Sequence, residues 1–192
     1  MEIDFITSNK HKVEQANNDL NKYSIHANQM KFDFREIQTV DVEEVATDKA
    51  LQVIDKVHNE FIIEDTGFYI EALKGFPGAL FKYIFEFLEY QKFLKLMEGE
   101  NNREVYFKGV IVYGNPKTKE IKSFVGIVRG SLSHEPRGNN TRGAITNNLF
   151  IPMGWDKTLA EMNDDEWKIF LNQISNENHY EKFGLWISEK VR

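Results

Sequence analysis

Short apolar runs of strand length alternate with segments of helical periodicity along this chain, and that alternation restricts the fold most. Residues 3–6 have the pattern of a short strand and 61–63 are a short apolar run, whereas the apolar residues of 42–57 recur at helical spacing. The turn at 114–117 separates two further strand-like runs and predicts a hairpin. We therefore predict an α/β fold that includes an antiparallel part.

The remaining predicted elements follow from periodicity and turn residues. They are a helix with its N-cap at Ser8 or Asn9, a strand-like piece at 30–37, helices at about 79–97, 164–174 and 178–191, strands at 104–113, 120–128 and near 130–134, and a polar loop at 135–148. The chain contains no internal repeat and no Pro/Gly/Ser-rich linker. Residues 1–192 are therefore predicted to form a single domain.

Composition excludes several classes of protein. The 192 residues carry a net charge of −6, and an acidic total argues against a nucleic-acid polymer as partner. Charged residues interrupt the most apolar stretch, 81–97, so we expect no membrane partner. The chain has no cysteine, which excludes disulfides and thiolate metal sites and fits a cytoplasmic location.

The first candidate site is the turn Thr7-Ser8-Asn9, which joins the first strand to the first helix. Free backbone N–H groups and the helix dipole favour an anion at such a position, and Lys10 or Lys12 would add positive charge. The turn therefore predicts an anion site. A solvated N-cap followed by surface lysines is the alternative.

The second candidate site is the carboxylate pair Glu64 and Asp65, which follows the apolar run 61–63. Open α/β sheets bind ligands outside the carboxyl ends of their strands. Adjacent carboxylates repel each other unless a cation or proton intervenes, and their oxygens suit Mg²⁺. The pair therefore predicts a magnesium site at a strand end, and the alternative is a turn in which Asp65 caps backbone N–H groups.

Two later turns carry residues that suit a phosphate. The Gly-Phe-Pro-Gly turn at 75–78 precedes a predicted helix that has Lys82 near its start. The Glu-Pro-Arg-Gly turn at 135–138 carries an arginine, whose guanidinium binds phosphate through two N–H groups. An ordinary helix start and an exposed loop arginine are the alternatives.

These motifs occur together with Asn-Lys-His-Lys at 9–12 and Lys-Thr-Leu-Ala-Glu-Met at 157–162. Their order and spacing resemble those of the inosine triphosphate pyrophosphatase (Ham1-like) family, over about residues 3–170. Members of that family hydrolyse nucleoside triphosphates with deaminated purine bases, of the ITP, dITP and XTP type, to the monophosphate and pyrophosphate. The resemblance implies a long twisted mixed sheet flanked by helices, two lobes with the active site in the cleft between them, a Mg²⁺ cofactor and a homodimer.

The resemblance also implies roles for individual residues. Asp65 matches the family's central acidic residue, which is tied to metal binding and catalysis, and Glu36 matches its other metal-binding carboxylate. Either Asp65 or Glu64 would take a proton from the attacking water. The residues expected at the substrate phosphates are Thr7, Ser8, Asn9, Lys12, Lys49, Thr66 and Lys82.

The chain departs from the family where the base is bound. The family's Phe-Gly-Trp-Asp-Pro and Ser-His-Arg segments are absent, and other residues stand at their positions. The base-binding candidates at or beside those positions are Ala144, Thr146, Asn147, Phe150, Asn172 and Gln173. Loss of a stacking ring and of hydrogen-bonding side chains predicts a changed or relaxed base specificity. A replacement platform formed by Phe150, Trp155 or Tyr180 is the alternative.

Two rival functions stay open at this point. The missing base readers also fit a nucleotide-binding or regulatory protein that has kept the fold and lost efficient turnover. The same chemistry on another diphosphate-containing metabolite is the second rival. A nucleotide substrate hydrolysed with Mg²⁺ is the main expectation.

Overall fold

The computed structural model describes residues 1–139 and 144–190. Its strands are β1 (Glu2–Ile6), β2 (His26–Met30), β3 (Phe61–Ile70), β4 (Pro77–Gly78), β5 (Glu104–Asn115), β6 (Glu120–Leu132) and β7 (Phe150–Pro152). Its α-helices are α1 (Lys10–Leu20), α2 (Val42–Val53), α3 (Phe81–Phe87), α4 (Tyr90–Leu94), α5 (Asp164–Gln173) and α6 (His179–Lys190). Val191, at the end of the last predicted helix, and residues 140–143 of the predicted loop lie outside the described residues.

The strands form one mixed sheet in the order β2-β1-β3-β5-β6-β7, with β4 paired to β3. β1 runs parallel to β2 and β3, whereas β4 is antiparallel to β3 and β7 is antiparallel to β6. A four-residue turn at 116–119 joins β5 to β6. The predicted α/β fold with a hairpin is confirmed.

The chain forms two compact units. The first contains Met1–Thr66, Gly109–Gly126 and the described part of Asn176–Arg192, and the second contains Gly67–Lys108 and the described parts of Ile127–Ser175. The first unit has a core centred on Phe5, Ile62 and Phe183, and the second has a core centred on Phe68, Phe93 and Phe150. Each unit therefore has its own buried apolar interior.

Side-chain caps define where several helices begin. Asn9 Oδ1 accepts a hydrogen bond from the backbone N–H of His11, and Asp41 Oδ1 accepts one from Glu43. Asn163 caps α5 in the same way. Each cap satisfies an N–H group that has no partner within the helix. The prediction of an N-cap at Ser8 or Asn9 is resolved in favour of Asn9.

The prediction that a strand ends before Glu64 is wrong. β3 continues through the acidic pair to Ile70, so Glu64 and Asp65 lie in the middle of a ten-residue strand. Polar residues are tolerated there because lysines from α1 and α2 pair with them. The local sequence shows the polar residues but not the partners that keep them inside the sheet.

The predicted strand at 30–37 is also misplaced. β2 ends at Met30, and residues 31–40 have no regular secondary structure. The alternation of exposed and half-buried side chains from Lys31 to Phe34 is present, and the rings of Phe32 and Phe34 contact each other with centroids 5.0 Å apart. A strand also needs a neighbouring backbone ladder, and β2 forms one only through Met30.

The single helix predicted at 79–97 is divided into α3 and α4 by an extended residue, Leu88. In one straight helix, residues 85 and 93 would be about 12 Å apart along the axis. The break brings the rings of Phe85 and Phe93 to a centroid distance of 4.3 Å inside the second core. Tertiary packing therefore overrides the continuous periodicity.

Most of the other predicted elements differ from the observed ones only at their ends. The short strand predicted near 130–134 is the last part of β6, whose partner β7 was not predicted. No helix of the described residues is both long and apolar enough to cross a membrane.

Candidate active site

Lys12 of α1 reaches the middle of β3. Its Nζ lies 2.8 Å from Glu64 Oε2 and 3.8 Å from Asp65 Oδ1, and it donates a hydrogen bond of 3.0 Å to the carbonyl oxygen of Glu64. Burial favours a lower pKa for Lys12, but the two carboxylates outweigh it and the pKa is raised. Lys12 therefore stays positively charged beside the acidic pair.

Lys49 of α2 joins two carboxylates from different parts of the first unit. Its Nζ lies 2.9 Å from Asp65 Oδ2 and 2.7 Å from Glu36 Oε1. Burial again opposes the charge, but Asp65 and Glu36 raise the pKa of Lys49. The structure thus brings together Lys12, Glu36, Lys49, Glu64 and Asp65, which the sequence separates by up to 53 positions (65 − 12).

The two adjacent carboxylates have different environments. The Glu64 side chain is 5% exposed, and its Oε1 accepts a hydrogen bond of 2.6 Å from Thr66 Oγ1. Burial raises the pKa of Glu64, but Lys12 and His179 reverse the shift, and the pKa lies well below the ordinary glutamate value. Asp65 is 23% exposed. A buried carboxylate with a low pKa is a weak base, so Asp65 is the better placed of the two to accept a proton from water.

Gln52 holds the segment that carries Glu36. The amide of Gln52 donates 2.7 Å to the carbonyl oxygen of Arg35 and accepts 3.1 Å from the backbone N–H of Arg35. Gln52 lies one turn after Lys49 on α2, so the same helix fixes both the backbone next to Glu36 and the lysine that contacts it. Sequence reasoning missed Gln52, because nothing in the local pattern relates it to residue 35.

The turn before α1 is arranged by its own side chains. Thr7 Oγ1 accepts a hydrogen bond from the N–H of Asn9, and Asn9 Oδ1 accepts one from the N–H of His11. Ser8 and Asn9 are exposed. The predicted phosphate turn therefore lies at the solvent-facing start of the helix that carries Lys12.

The donor set at Glu36 and Asp65 suits a divalent cation. No group of three or more His, Cys, Asp or Glu side chains that would hold a metal occurs within residues 1–139 and 144–190. Glu36 and Asp65 both contact the ammonium group of Lys49, and the Glu36 side chain is 49% exposed. Proteins usually bind Mg²⁺ through one or two carboxylates together with the phosphates of the substrate, and this pair of carboxylates matches that pattern. The two residues therefore fit a divalent cation whose coordination shell is completed by oxygen atoms of the substrate.

The remaining predicted site residues belong to the second unit. Lys82 is exposed in the first turn of α3. Ala144, Asn172 and Gln173 are exposed, whereas Thr146, Asn147 and Phe150 are buried. Phe150 packs against Phe68 and Phe107 and has no exposed ring face.

A model of the Ham1 family matches residues 3–175, which is most of the chain. The chain belongs to the Ham1 family. The dITP/XTP pyrophosphatase of Thermococcus kodakarensis is 37% identical to it over 193 residues, covering 100% of both chains. The dITP/XTP pyrophosphatase of Pyrococcus horikoshii is 41% identical over 167 residues, covering 86% of this chain and 87% of the relative.

Solved structures agree with the assignment at the level of fold. The Ham1 protein of Staphylococcus aureus matches with a TM-score of 0.77 and 21% identity, covering 99% of this chain and 100% of its own. A Ham1 protein of Coxiella burnetii matches with a TM-score of 0.78 and 22% identity, covering 98% and 99%. The mixed sheet flanked by helices is therefore the Ham1 fold.

Two of the Ham1-like motifs, the turn at 135–138 and the segment at 157–162, contact each other in the second unit. Arg137 lies 2.7 Å from Glu161 through its Nη2, and Thr158 Oγ1 donates 3.1 Å to the carbonyl oxygen of Arg137. Gly138 has φ +79°, and a Cβ there would lie 2.5 Å from the carbonyl carbon of Ala160. The Glu-Pro-Arg-Gly turn is thus locked onto 158–161, and its arginine is engaged with protein groups.

Sequence reasoning also missed His179. Its side chain is 15% exposed at the first residue of α6, and its Nε2 lies 3.6 Å from Glu64 Oε1. The five histidines of the chain lack metal-ligand spacing, so the sequence alone gives no reason to place any of them at the site. Residue 179 is 115 positions after residue 64 (179 − 64), so no local pattern relates them.

Proposed function

We propose that this Ham1-family chain is a nucleoside-triphosphate pyrophosphohydrolase that cleaves between the α and β phosphates and releases pyrophosphate. The cluster of Lys12, Lys49, Glu36, Glu64 and Asp65 carries the proposal, because it combines fixed cations with carboxylates at one place. The dITP/XTP pyrophosphatases that are 37% and 41% identical support it.

In the proposed reaction, water attacks the triphosphate and the α–β anhydride bond breaks. Such a displacement needs an oriented water, charge neutralisation and positioning more than covalent help. Asp65 accepts the proton of the water, and the ammonium groups of Lys12 and Lys49 offset the charge that grows on the departing pyrophosphate. Thr7, Ser8, Asn9, Thr66 and Lys82 are proposed as further contacts to the phosphates.

We propose Mg²⁺ as the cofactor, held by Asp65 and Glu36. When bound, it would polarise the phosphoryl oxygens and neutralise part of their charge. Lys49 already contacts both carboxylates, so the cation and the lysine share one acidic site. The proposal rests on the oxygen chemistry of these two residues and on the exposure of Glu36.

We propose that base discrimination is weaker than in relatives that carry aromatic readers. Of the six base-binding candidates, Thr146, Asn147 and Phe150 are buried, and Ala144 has no ring. Among the three alternative platforms, Phe150 and Tyr180 are 0% and 1% exposed, and only Trp155 is half-buried. Trp155 Nε1 donates 2.8 Å to Gln173 Oε1, which makes this pair the substitute reader if discrimination is strong.

Pyrophosphate release with Mg²⁺ from ITP, XTP, dITP and the common NTPs and dNTPs tests the function. Asp65→Asn should lower kcat by about a hundredfold or more, the usual size of a general-base contribution. Asp55→Asn removes the same charge at an exposed position and serves as the control. Orthophosphate as the first product would contradict α–β cleavage. Similar rates on many bases would support relaxed recognition, whereas a strong preference for ITP and XTP would make Trp155→Ala the next variant.

Two outcomes would favour the rival functions. Nucleotide affinity without hydrolysis of any member of the panel would indicate a binding or regulatory protein. If no nucleotide is hydrolysed but another diphosphate-containing metabolite is, the enzyme has a different substrate. Both rivals stay under test because three of the six predicted base readers, Thr146, Asn147 and Phe150, are buried.

We also propose that the enzyme is a cytoplasmic homodimer. On α3, Tyr83 and Phe87 are one helical turn apart and are 54% and 78% exposed. Large exposed aromatic side chains that lie together are typical of protein–protein interfaces. Light scattering of the wild type and of Phe87→Asp tests the proposal, and a wild-type monomer would contradict it. The lack of cysteine fits a reducing compartment.

A further inference from the structure

The ring of His179 is enclosed on the sheet side of α6. A Cβ placed on Gly109 of β5 would lie 2.4 Å from His179 Cε1, so the imidazole occupies the space that the missing side chain leaves. The ring also contacts that of Tyr180, with centroids 4.6 Å apart. The position of His179 is therefore set by the sheet as well as by its own helix.

Asn178 fixes the start of α6. Its Oδ1 accepts a hydrogen bond of 2.8 Å from the N–H of Tyr180, and its Nδ2 donates 3.3 Å to Asp19 Oδ2 on α1. Residue 179 is thus held between a capped helix start and a contact with the helix that also carries Lys12. The imidazole has little freedom to turn away.

His179 Nε2 points toward the Glu64 carboxylate without reaching hydrogen-bond distance. The atom is buried, it has no hydrogen-bond partner in the part of the chain that the structure describes, and Glu64 Oε1 is 3.6 Å away. A buried polar atom without a hydrogen bond is energetically unfavourable. The Glu64 carboxylate, although beyond hydrogen-bond distance, is close enough to interact electrostatically with His179 Nε2.

The Glu64 carboxylate is consequently surrounded by three polar groups from three elements. Thr66 of β3 donates to Oε1, Lys12 of α1 lies 2.8 Å from Oε2, and Nε2 of His179 on α6 lies 3.6 Å from Oε1. Lys12 contacts both the carbonyl oxygen and the carboxylate of Glu64, and the second of these contacts depends on the orientation of the side chain.

We propose that His179 is a positioning residue for the hydrolysis described above: it holds the Glu64 carboxylate in the orientation that keeps Lys12 directed at the substrate phosphates. The inference rests on the proposed function for its kinetic consequence. The structural part of the inference is that His179 of α6 orients Glu64, and this part depends only on contacts within the first unit.

Four variants test the proposal. His179→Leu removes the polar nitrogen and keeps a side chain of similar bulk, whereas His179→Gln keeps an N–H donor. Gly109→Ala displaces the imidazole while leaving residue 179 intact. His58→Leu changes an exposed histidine and is the control. The measurements are kcat and KM for pyrophosphate release, the midpoint of thermal unfolding, and nucleotide-free crystal structures of the wild type and His179→Leu.

We expect kcat of His179→Leu and Gly109→Ala to fall by about tenfold to a hundredfold, the cost of a misplacement near 1 Å, with KM within about threefold. His179→Gln should restore kcat to within about threefold of the wild type, and the His179→Leu crystal structure should show Glu64 turned away from Lys12. An equal loss in the Gln and Leu variants, or a lowered unfolding midpoint with unchanged kcat, would overturn the proposal.

Failure of the inference is distinguishable from failure of the proposed function. If the wild type hydrolyses nucleotides and His179→Leu does so at the same rate, only the role of His179 is refuted. If the wild type releases no pyrophosphate, the proposed function fails. The crystal structures then still decide whether His179 orients Glu64, since an unchanged Glu64 side chain in His179→Leu would refute that as well.

Discussion

Lys12 contacts Glu64 twice, through its carboxylate at 2.8 Å and through its carbonyl oxygen at 3.0 Å, although 52 residues separate the two. The contact ties α1 to the middle of β3. It also compensates the negative charge of the Glu64 carboxylate, which is nearly inaccessible to water. The pair therefore serves the stability of the first unit as well as the proposed chemistry.

Lys12→Met should destabilise the protein by about 3–5 kcal/mol, because removing one partner leaves a buried charge unpaired. Lys10→Met, on the exposed side of the same helix, should be nearly neutral. The free energy of unfolding from chemical denaturation measures both. The double variant Lys12→Met/Glu64→Gln should recover at least half of the loss. Additive losses would show that the two groups do not depend on each other.

Lys49→Met should bind Mg²⁺ about tenfold more tightly in the absence of nucleotide. Lys49 neutralises both carboxylates that are proposed to hold the cation, and a tenfold change corresponds to about 1.4 kcal/mol, a modest part of the interaction between charges at this distance. Isothermal titration with MgCl₂ measures the affinity. Lys56→Met is the control, and an unchanged affinity in Lys49→Met would argue against a shared site.

Gln52→Leu should raise the Mg²⁺ concentration needed for half-maximal activity by about tenfold, the lower end of the usual range for residues that support a metal ligand. The substitution removes both hydrogen bonds to the backbone of Arg35 and releases the segment that carries Glu36. Gln91→Leu, at an exposed position of α4, should leave this concentration unchanged. Equal Mg²⁺ dependence in the two variants would contradict the role of Gln52.

Arg137→Met should destabilise the protein by about 1 kcal/mol at pH 7, since it removes the charge-assisted contact with Glu161. The hydrogen bond from Arg137 lowers the pKa of Glu161 in the folded state, so this contribution is present above the ordinary value of 4.5 and is lost as pH falls through the folded pKa. The difference between wild type and variant should therefore shrink below pH 4.5.

Denaturation curves of the wild type and Arg137→Met at pH 7, 5, 4 and 3 follow that difference. Lys168→Met, which breaks an exposed pair with Asp165, should change the free energy of unfolding little at any of these pH values. A difference for Arg137→Met that stays constant from pH 7 to pH 3 would show that Glu161 does not respond to the arginine.

Much of the fold was predictable because its signals are local. The apolar run before Glu64, the cap at Asn9 and the turn between β5 and β6 each depend on residues close in sequence. The errors occur where distant groups intervene. β3 runs through two carboxylates because lysines from two helices pair with them, and α3 ends early because Phe85 packs against Phe93.

Residue types and their order along the chain were enough to indicate the family, the acidic pair and the lysines proposed for the phosphates. Only the folded chain shows that Lys49 joins Glu36 to Asp65, that Gln52 holds the backbone of Arg35, and that His179 faces Glu64. The reason is physical. Local propensity is set by neighbouring residues, whereas the protonation and orientation of a buried carboxylate depend on charges that only folding brings within a few ångströms.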